Sequence, residues 1–316
     1  MRITSSKPKA AADASTRIAA LIDAASGIVL GKTEVLRLAV TCLLAGGHLL
    51  LEDLPGVGKT TLAQTLARLL GLSYQRLQCT SDLMPADVIG VSVYDRNDSQ
   101  FRLHPGPVFT QVLLADEINR ATPRAQSALL EAMEERQVSV DGRALPLPTP
   151  FFVIATQNPA DQVGTYPLPE SQLDRFLMRL SLGYPGRDAE RQLLQGSDRR
   201  ALLADLPPVL AVDELLDLQR QVDAVHVADA LVDYLQALLQ RSRELPGLAH
   251  GLSPRAGLAL LRAARAWALV HGRGHVLPED LKAVLPSVAA HRLASREAGV
   301  RSESIVTQLL RTVPVN

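Results

Sequence analysis

The stretch "HLLLEDLPGVGKTTLAQTLARLLG", residues 48–71, constrains the fold of this chain more than any other. Its apolar start (48–52) reads as a buried strand, "DLPGVG" as a loop, and the run from Lys59 to Leu70 as a helix stopped by Gly71. The pattern G-x-x-x-x-G-K-[ST] fits Gly58, Lys59 and Thr60, while Asp53 stands where its opening glycine belongs. A strand that feeds a glycine turn and then a helix brings backbone N–H groups and the positive helix end to one point, as a phosphate requires. Gly56 and Gly58 let the backbone turn between Pro55, Val57 and Thr61, Lys59 can reach β and γ oxygens, and the Thr60 hydroxyl can ligate Mg²⁺. Asp53 is the difficulty. Two unit charges 4 Å apart repel by about 1 kcal/mol even in water, so its carboxylate is expected to point away and bond local backbone N–H groups as a turn-former.

Further along, "SYQRLQC" (73–79) reads as a strand, 80–109 as irregular, "QVLLAD" (111–116) as an apolar strand and 122–136 as a helix. "QVSVDGRALPLP" reads as a hairpin turning at Asp141-Gly142, and "FFVIATQN" (151–158) as another buried strand. Helical patterns also cover 13–26 and 33–45. Alternating strands and helices imply an α/β unit with a parallel sheet covered on both faces. Beyond about residue 182 the strand signals stop. Helical stretches follow near 187–196, 213–223, 229–243, 254–271, 278–291 and 302–312, with 199–212 read as a linker around Pro207-Pro208. The expected organisation is an N-terminal tail (1–14), an α/β core (15–184), a linker (185–212) and a smaller all-helical region (213–316).

Composition removes several alternatives. Lys plus Arg and Asp plus Glu both total 33, so no global field draws the chain to nucleic acid or an anionic membrane. Two cysteines, Cys42 and Cys79, make neither a disulfide framework nor a metal cluster and are expected in the core. No run approaches the roughly 18 apolar residues of a membrane span, and the N-terminus has no signal-peptide core. A cytoplasmic protein is expected. The basic helix 254–271 is expected to pack within its own domain rather than cross a bilayer.

Chemistry gathers around two further stretches. "VLLADEINRA" puts Asp116 and Glu117 at the carboxyl end of an apolar strand, where Asp116 can hold Mg²⁺ and Glu117 can act as general base toward water. "ATQNP" puts Asn158 at the end of another strand, where its amide can bond an attacking water or a γ-phosphate. His104, His226, His250, His271, His275 and His291 are scattered and read as structural.

With the loop, the acidic pair and the polar strand end in this order, the chain resembles the MoxR-type AAA+ ATPases. The resemblance runs from about residue 15 to 312, through "HPGPVF", "ALLEAMEERQV", "GTYPLPESQLDRF" and "LSPRAGLALLRAARAWA". It implies an AAA+ core followed by a helical lid, ATP or ADP with Mg²⁺ as ligands, and a homo-oligomeric, hexameric ring with sites between subunits. It also implies that Arg175 of "LDRF" is an arginine finger and Arg255 of "SPR" a second sensor acting in its own subunit or in the neighbour. Guanidinium suits both roles because it stays charged and offers forked donors. Ile28, Val29 and Gly31 would form the base pocket, although Lys32 replaces the family's usual Gln. The stretch 80–106 matches an insert in the second core helix, with a contact tip or core residues at Leu83, Met84 and Pro85, and 136–148 matches a hairpin before the first sensor.

The function implied is ATP-driven remodelling or activation of a partner protein, often one with a von Willebrand factor A domain. The first alternative is the ATPase motor subunit of a metal chelatase. A DNA-remodelling or nucleotide-regulated scaffold ranks lower, because zero net charge and 3% aromatic residues offer neither a basic stripe nor a stacking groove.

Overall fold

A computed structural model describes residues 7–97, 99–159, 164–196, 199–295 and 302–314; residues 1–6 of the expected tail and the last two of the helical region lie outside these. Five strands form a parallel sheet: β1 (His48–Glu52), β2 (Tyr74–Gln78), β5 (Val112–Asp116), β8 (Phe152–Gln157) and β9 (Phe176–Leu180). Their order across the sheet is β2-β5-β8-β1-β9. Two antiparallel hairpins interrupt the chain, β3 (Gly90–Asp95) with β4 (Gln100–Pro105), and β6 (Gln137–Val140) with β7 (Arg143–Pro146).

The strands are apolar at almost every position because both faces are covered. Leu49, Leu51, Val112, Leu114, Phe152 and Ile154 project to one face, toward α2 (Thr33–Leu44) and α3 (Lys59–Leu69). The intervening Leu50, Leu113, Ala115, Val153 and Ala155 project to the other, where α5 (Pro123–Glu135) supplies Leu129, Leu130 and Met133. Successive side chains of a strand point to opposite faces, so each strand serves both layers.

Several elements differ from the sequence expectation. Helix α1 (Lys7–Ser26) begins inside the stretch read as a tail, since "KAAADA" consists mostly of the best helix-forming residue. Within 80–109 a short helix α4 (Pro85–Ile89) and the β3–β4 hairpin replace the irregular reading. Met84, Tyr94 and Phe101 of this insert are exposed, whereas Leu83, Ile89 and Leu103 pack against the core of the second face. The segment after α7 (Arg187–Gln195), read as a linker, holds a helix α8 (Arg199–Ala204) and then runs along α3. There Arg68 donates to the carbonyls of Ala204 and Leu206, and the N–H groups of Val209 and Leu210 donate to Leu69.

The remaining helices are α6 (Glu170–Leu173), α9 (Val212–Asp223), α10 (Asp229–Glu244), α11 (Pro254–Val270), α12 (Pro278–Ala289) and α13 (Ser302–Thr312). Helix α11 was expected to pack within its own domain, but it also meets α1 and α2, and its Leu260, Ala263 and Ala264 share one apolar core with Leu49 and Leu62. The Ser15 hydroxyl donates to the Val270 carbonyl at 2.9 Å, which fixes α1 to the end of α11. Among the described residues, no helix is long and apolar enough to cross a membrane.

Candidate nucleotide site

The strand order brings the carboxyl ends of β5, β8 and β1 side by side, and three segments distant in sequence meet there. A cleft of about 300 Å³ is lined by Pro55, Gly56, Gly58, Lys59, Thr60 and Thr61 from the loop. Asp116 at the end of β5, Glu117 directly after it, and Asn158 after β8 line the same cleft. Gly56 and Gly58 have φ of +82° and +98°, and a Cβ at either would meet nothing within 4 Å, so the loop's inner surface is bare backbone. Val57 is partly buried and packs on the apolar core instead of lining the cleft.

Lys59 extends back over the loop, donating from Nζ to the carbonyls of Asp53 (2.5 Å) and Leu54 (2.9 Å). Burial lowers its pKa below the ordinary 10.5 despite the opposing pull of Asp53, Asp116 and Glu117. A partly desolvated ammonium of this kind gains when an anion arrives. The Asp53 carboxylate does point away from the loop's interior. Oδ1 accepts from the Leu54 N–H (2.9 Å), the local bond expected, and Oδ2 accepts from the Ser181 hydroxyl (2.9 Å) and the Gly183 N–H (2.6 Å) beyond β9. Burial alone would raise its pKa, but the Gly183, Ser181 and Leu54 donors outweigh it and hold the group below 3.8.

Thr156 is a residue the sequence reading missed. Fully buried on β8, its hydroxyl donates to Asp116 Oδ1 (2.6 Å) and accepts the Glu117 N–H (2.9 Å), so one side chain orients both acids. The signal available was a hydroxyl inside the apolar strand "FFVIATQN". Arg76, which donates to Asp116 Oδ2 from Nη2 (2.5 Å) and Nε (3.1 Å), was also missed. Glu117 takes the left-handed conformation at φ 57°, uncommon for a non-glycine residue, and Arg120 Nε lies 2.9 Å from its carboxylate.

The donor set suits Mg²⁺ held mainly by phosphate and water. Thr60 and Asp116 offer hard oxygens in one cleft, and Arg76 and Thr156 already engage the Asp116 oxygens, which favours contact through a bound water. Among the described residues no group of three or more His, Cys, Asp or Glu forms a metal cage.

Ile28, Val29 and Gly31 do not line this cleft. Ile28 and Val29 are buried in the apolar core, and a Cβ on Gly31 (φ +70°) would come 3.0 Å from Ala189 of α7. Lys32 donates to the Tyr184 carbonyl at 2.7 Å, so the 28–32 turn is closed against the 184–189 segment.

Arg175 and Arg255 lie elsewhere as well. Both line a separate cavity of about 540 Å³, together with Gly46, His48, Glu134 and Asp174. Glu134 meets both: Oε2 is 3.0 Å from Arg175 Nε, and Oε1 is 3.2 Å from Arg255 Nη1. Within one copy the cleft and the arginines are thus two sites.

Comparison with known proteins agrees with this geometry. Residues 48–178 match the ATPase family associated with various cellular activities (AAA), and residues 240–309 match the AAA lid domain. The chain is 44% identical over 292 residues to the Bacillus subtilis protein YeaC, covering 91% of each chain. It is 41% identical to the chaperone MoxR1 of Mycobacterium tuberculosis, covering 90% of this chain and 79% of that one, and 36% identical to the MoxR protein of Paracoccus denitrificans, covering 92% and 94%. The crystal structure of a Cytophaga hutchinsonii chain assigned as an ATPase superimposes with a TM-score of 0.87 at 33% identity, covering 97% of both.

Proposed function

The chain belongs to the MoxR-type AAA+ ATPases, and from that premise we propose that it hydrolyses ATP to ADP and phosphate in the cytoplasm, as a hexameric ring that remodels or activates a partner protein. A protein with a von Willebrand factor A domain is the partner this reading favours. The observation that carries it is the division within one copy. Lys59, Thr60, Asp116, Glu117 and Asn158 share one cleft, while Arg175 and Arg255 share another cavity, so a complete site takes the cleft of one copy and the arginines of the next. This makes Arg255 a sensor that acts on the neighbour.

In this reading the 56–60 backbone and Lys59 hold the phosphates. Thr60, and Asp116 through a bound water, would hold Mg²⁺, which would supply charge neutralisation to the phosphates. Glu117 takes a proton from the water that attacks the γ-phosphorus, and the bond to the bridging oxygen of ADP breaks. The carboxylate is set for this by Thr156, which fixes the backbone N–H of Glu117 and the side chain of Asp116 together. Asn158 orients the water or the γ-phosphate.

Glu117→Gln is expected to bind a fluorescent ATP analogue as the wild type does and to lower kcat by roughly 10² to 10⁴, the usual contribution of a general base. Hydrolysis at the wild-type rate in this variant would overturn the assignment.

A further inference from the structure

Glu134 lies outside the cleft, within the stretch "ALLEAMEERQV" but with no role assigned to it by the sequence, and its carboxylate pairs with both arginines of the second cavity. Arg175 belongs to the turn before β9 and Arg255 to the first turn of α11, so a single carboxylate joins the strand-bearing and helical parts of the chain. Its contact with Arg175 is closest at Nε, the rear of the guanidinium, on the side away from the terminal fork that would meet a phosphate. Asp174 supports the same arrangement more loosely, with Oδ2 3.8 Å from Arg255 Nε.

The backbone that carries Glu134 is fixed. The preceding Met133 carbonyl is bonded by His48 Nε2 at 3.1 Å, and the Val153 N–H donates to His48 Nδ1 at 2.9 Å, so the last turn of α5 is anchored to both β1 and β8. The side chains themselves are partly exposed, at 37% for Glu134, 27% for Arg175 and 48% for Arg255. Ion pairs this open to solvent add little to stability. Their effect must therefore lie in geometry.

We propose that Glu134 is a positioning residue for hydrolysis, a yoke that holds Arg175 and Arg255 of one copy in the arrangement the neighbouring copy's nucleotide meets. The inference rests on the reading above that both arginines serve the neighbour's cleft. Misplacing a catalytic group by about 1 Å can cost on the order of a hundredfold in rate, so loss of the yoke acts on turnover and not on binding.

The test uses full-length chains. Glu134→Ala and Glu134→Gln are each expected to lower kcat roughly tenfold or more, with affinity for a fluorescent ATP analogue within about twofold of wild type and an unchanged thermal midpoint. Glu134→Asp, which keeps the carboxylate, is expected to recover part of the loss. Glu134→Ala copies mixed with Glu117→Gln copies are expected to exceed the summed activity of the two alone. In the mixture, an intact cleft from the first variant meets an intact yoke from the second; a role confined to folding of the mutated copy would show no such recovery. Arg175→Ala mixed with Glu117→Gln is the control. Wild-type turnover in both neutral Glu134 variants, or failure of Glu134→Ala to recover where Arg175→Ala does recover, would overturn the yoke alone. Failure of the Arg175→Ala control would overturn the reading that the arginines act between copies, and the yoke with it.

Discussion

Asp53 answers at the residue scale the question its position poses. An acid where a phosphate loop usually has glycine is tolerated because its oxygens are committed to Leu54, Ser181 and Gly183, while only its backbone carbonyl faces Lys59. The bond to Leu54 was legible from the turn-forming habit of Asp. The bonds to Ser181 and Gly183 were not, because they span nearly the whole sheet-forming part of the chain and depend on β1 and β9 being neighbours. Asp53→Ala would strand these buried donors and is expected to cost about 2–3 kcal/mol in urea unfolding at pH 7. The sign of its pH dependence follows from the depressed pKa. A carboxylate with a folded pKa below its unfolded value stabilises the fold above the unfolded pKa and loses that contribution as pH falls through the folded one. The gap between wild type and Asp53→Ala should therefore be full at neutral pH and narrow as pH falls from about 4 through the lower folded pKa, and a gap undiminished across that fall would contradict this account.

His48 and the two hairpins carry the lesson at the scale of elements. Burial foremost, with Arg136 adding to it against the Met133 hydrogen bond, lowers the His48 pKa from 6.5 to about 4. The folded state binds fewer protons than the unfolded chain between these values, so stability falls as pH drops through that window, by up to about 3 kcal/mol from this residue. His291, also buried with a pKa well below 6.5, adds a drop of its own. The difference between wild type and His48→Asn, which keeps a donor and an acceptor but does not titrate, isolates the part due to His48 in urea titrations across pH 4–7. The β6–β7 hairpin was legible because Asp141 and Gly142, both at positive φ, form the two-residue turn that "DG" predicts. The β3–β4 hairpin was not, because its tip "DRNDSQ" has no glycine and its fixed point is a close approach at its base. A Cβ on Gly106 would lie 2.4 Å from both the Gly90 nitrogen and the Val88 carbonyl oxygen. Gly106→Ala is expected to cost about 1–3 kcal/mol and to raise amide exchange through 90–105, with β1 and β8 still protected. Equal loss of protection in the central strands would show that the hairpin is not an independent unit.

Across the whole molecule, the sheet order was the part of the site that local reading could not supply. The loop, the acidic pair and Asn158 were each visible as strand ends, but their meeting depends on β8 standing between β5 and β1. The joint between core and lid was equally hidden, since "AAHRLAS" looks like an unremarkable helix end. Arg292 within it is 95% buried by side chain, reaching Asp174 Oδ1 at 2.5 Å and the carbonyls of Phe176 (2.8 Å), Asp174 (3.1 Å) and Leu177 (3.2 Å). His291 beside it bonds the Phe176 carbonyl as well, at 3.0 Å. The lid is thereby fastened to the strand that follows Arg175, and Asp174 links the same joint to Arg255. Removing Arg292 leaves Asp174 with the looser Arg255 contact and strands several buried carbonyls, so Arg292→Ala is expected to lose about 3–5 kcal/mol of stability. In the fraction that remains folded, binding of a fluorescent ATP analogue should stay near wild type, because the cleft draws none of its lining from this joint. Hydrolysis should fall, because the Arg175–Arg255 arrangement has lost its support. Affinity and turnover that declined together would instead mean that the joint shapes the cleft itself.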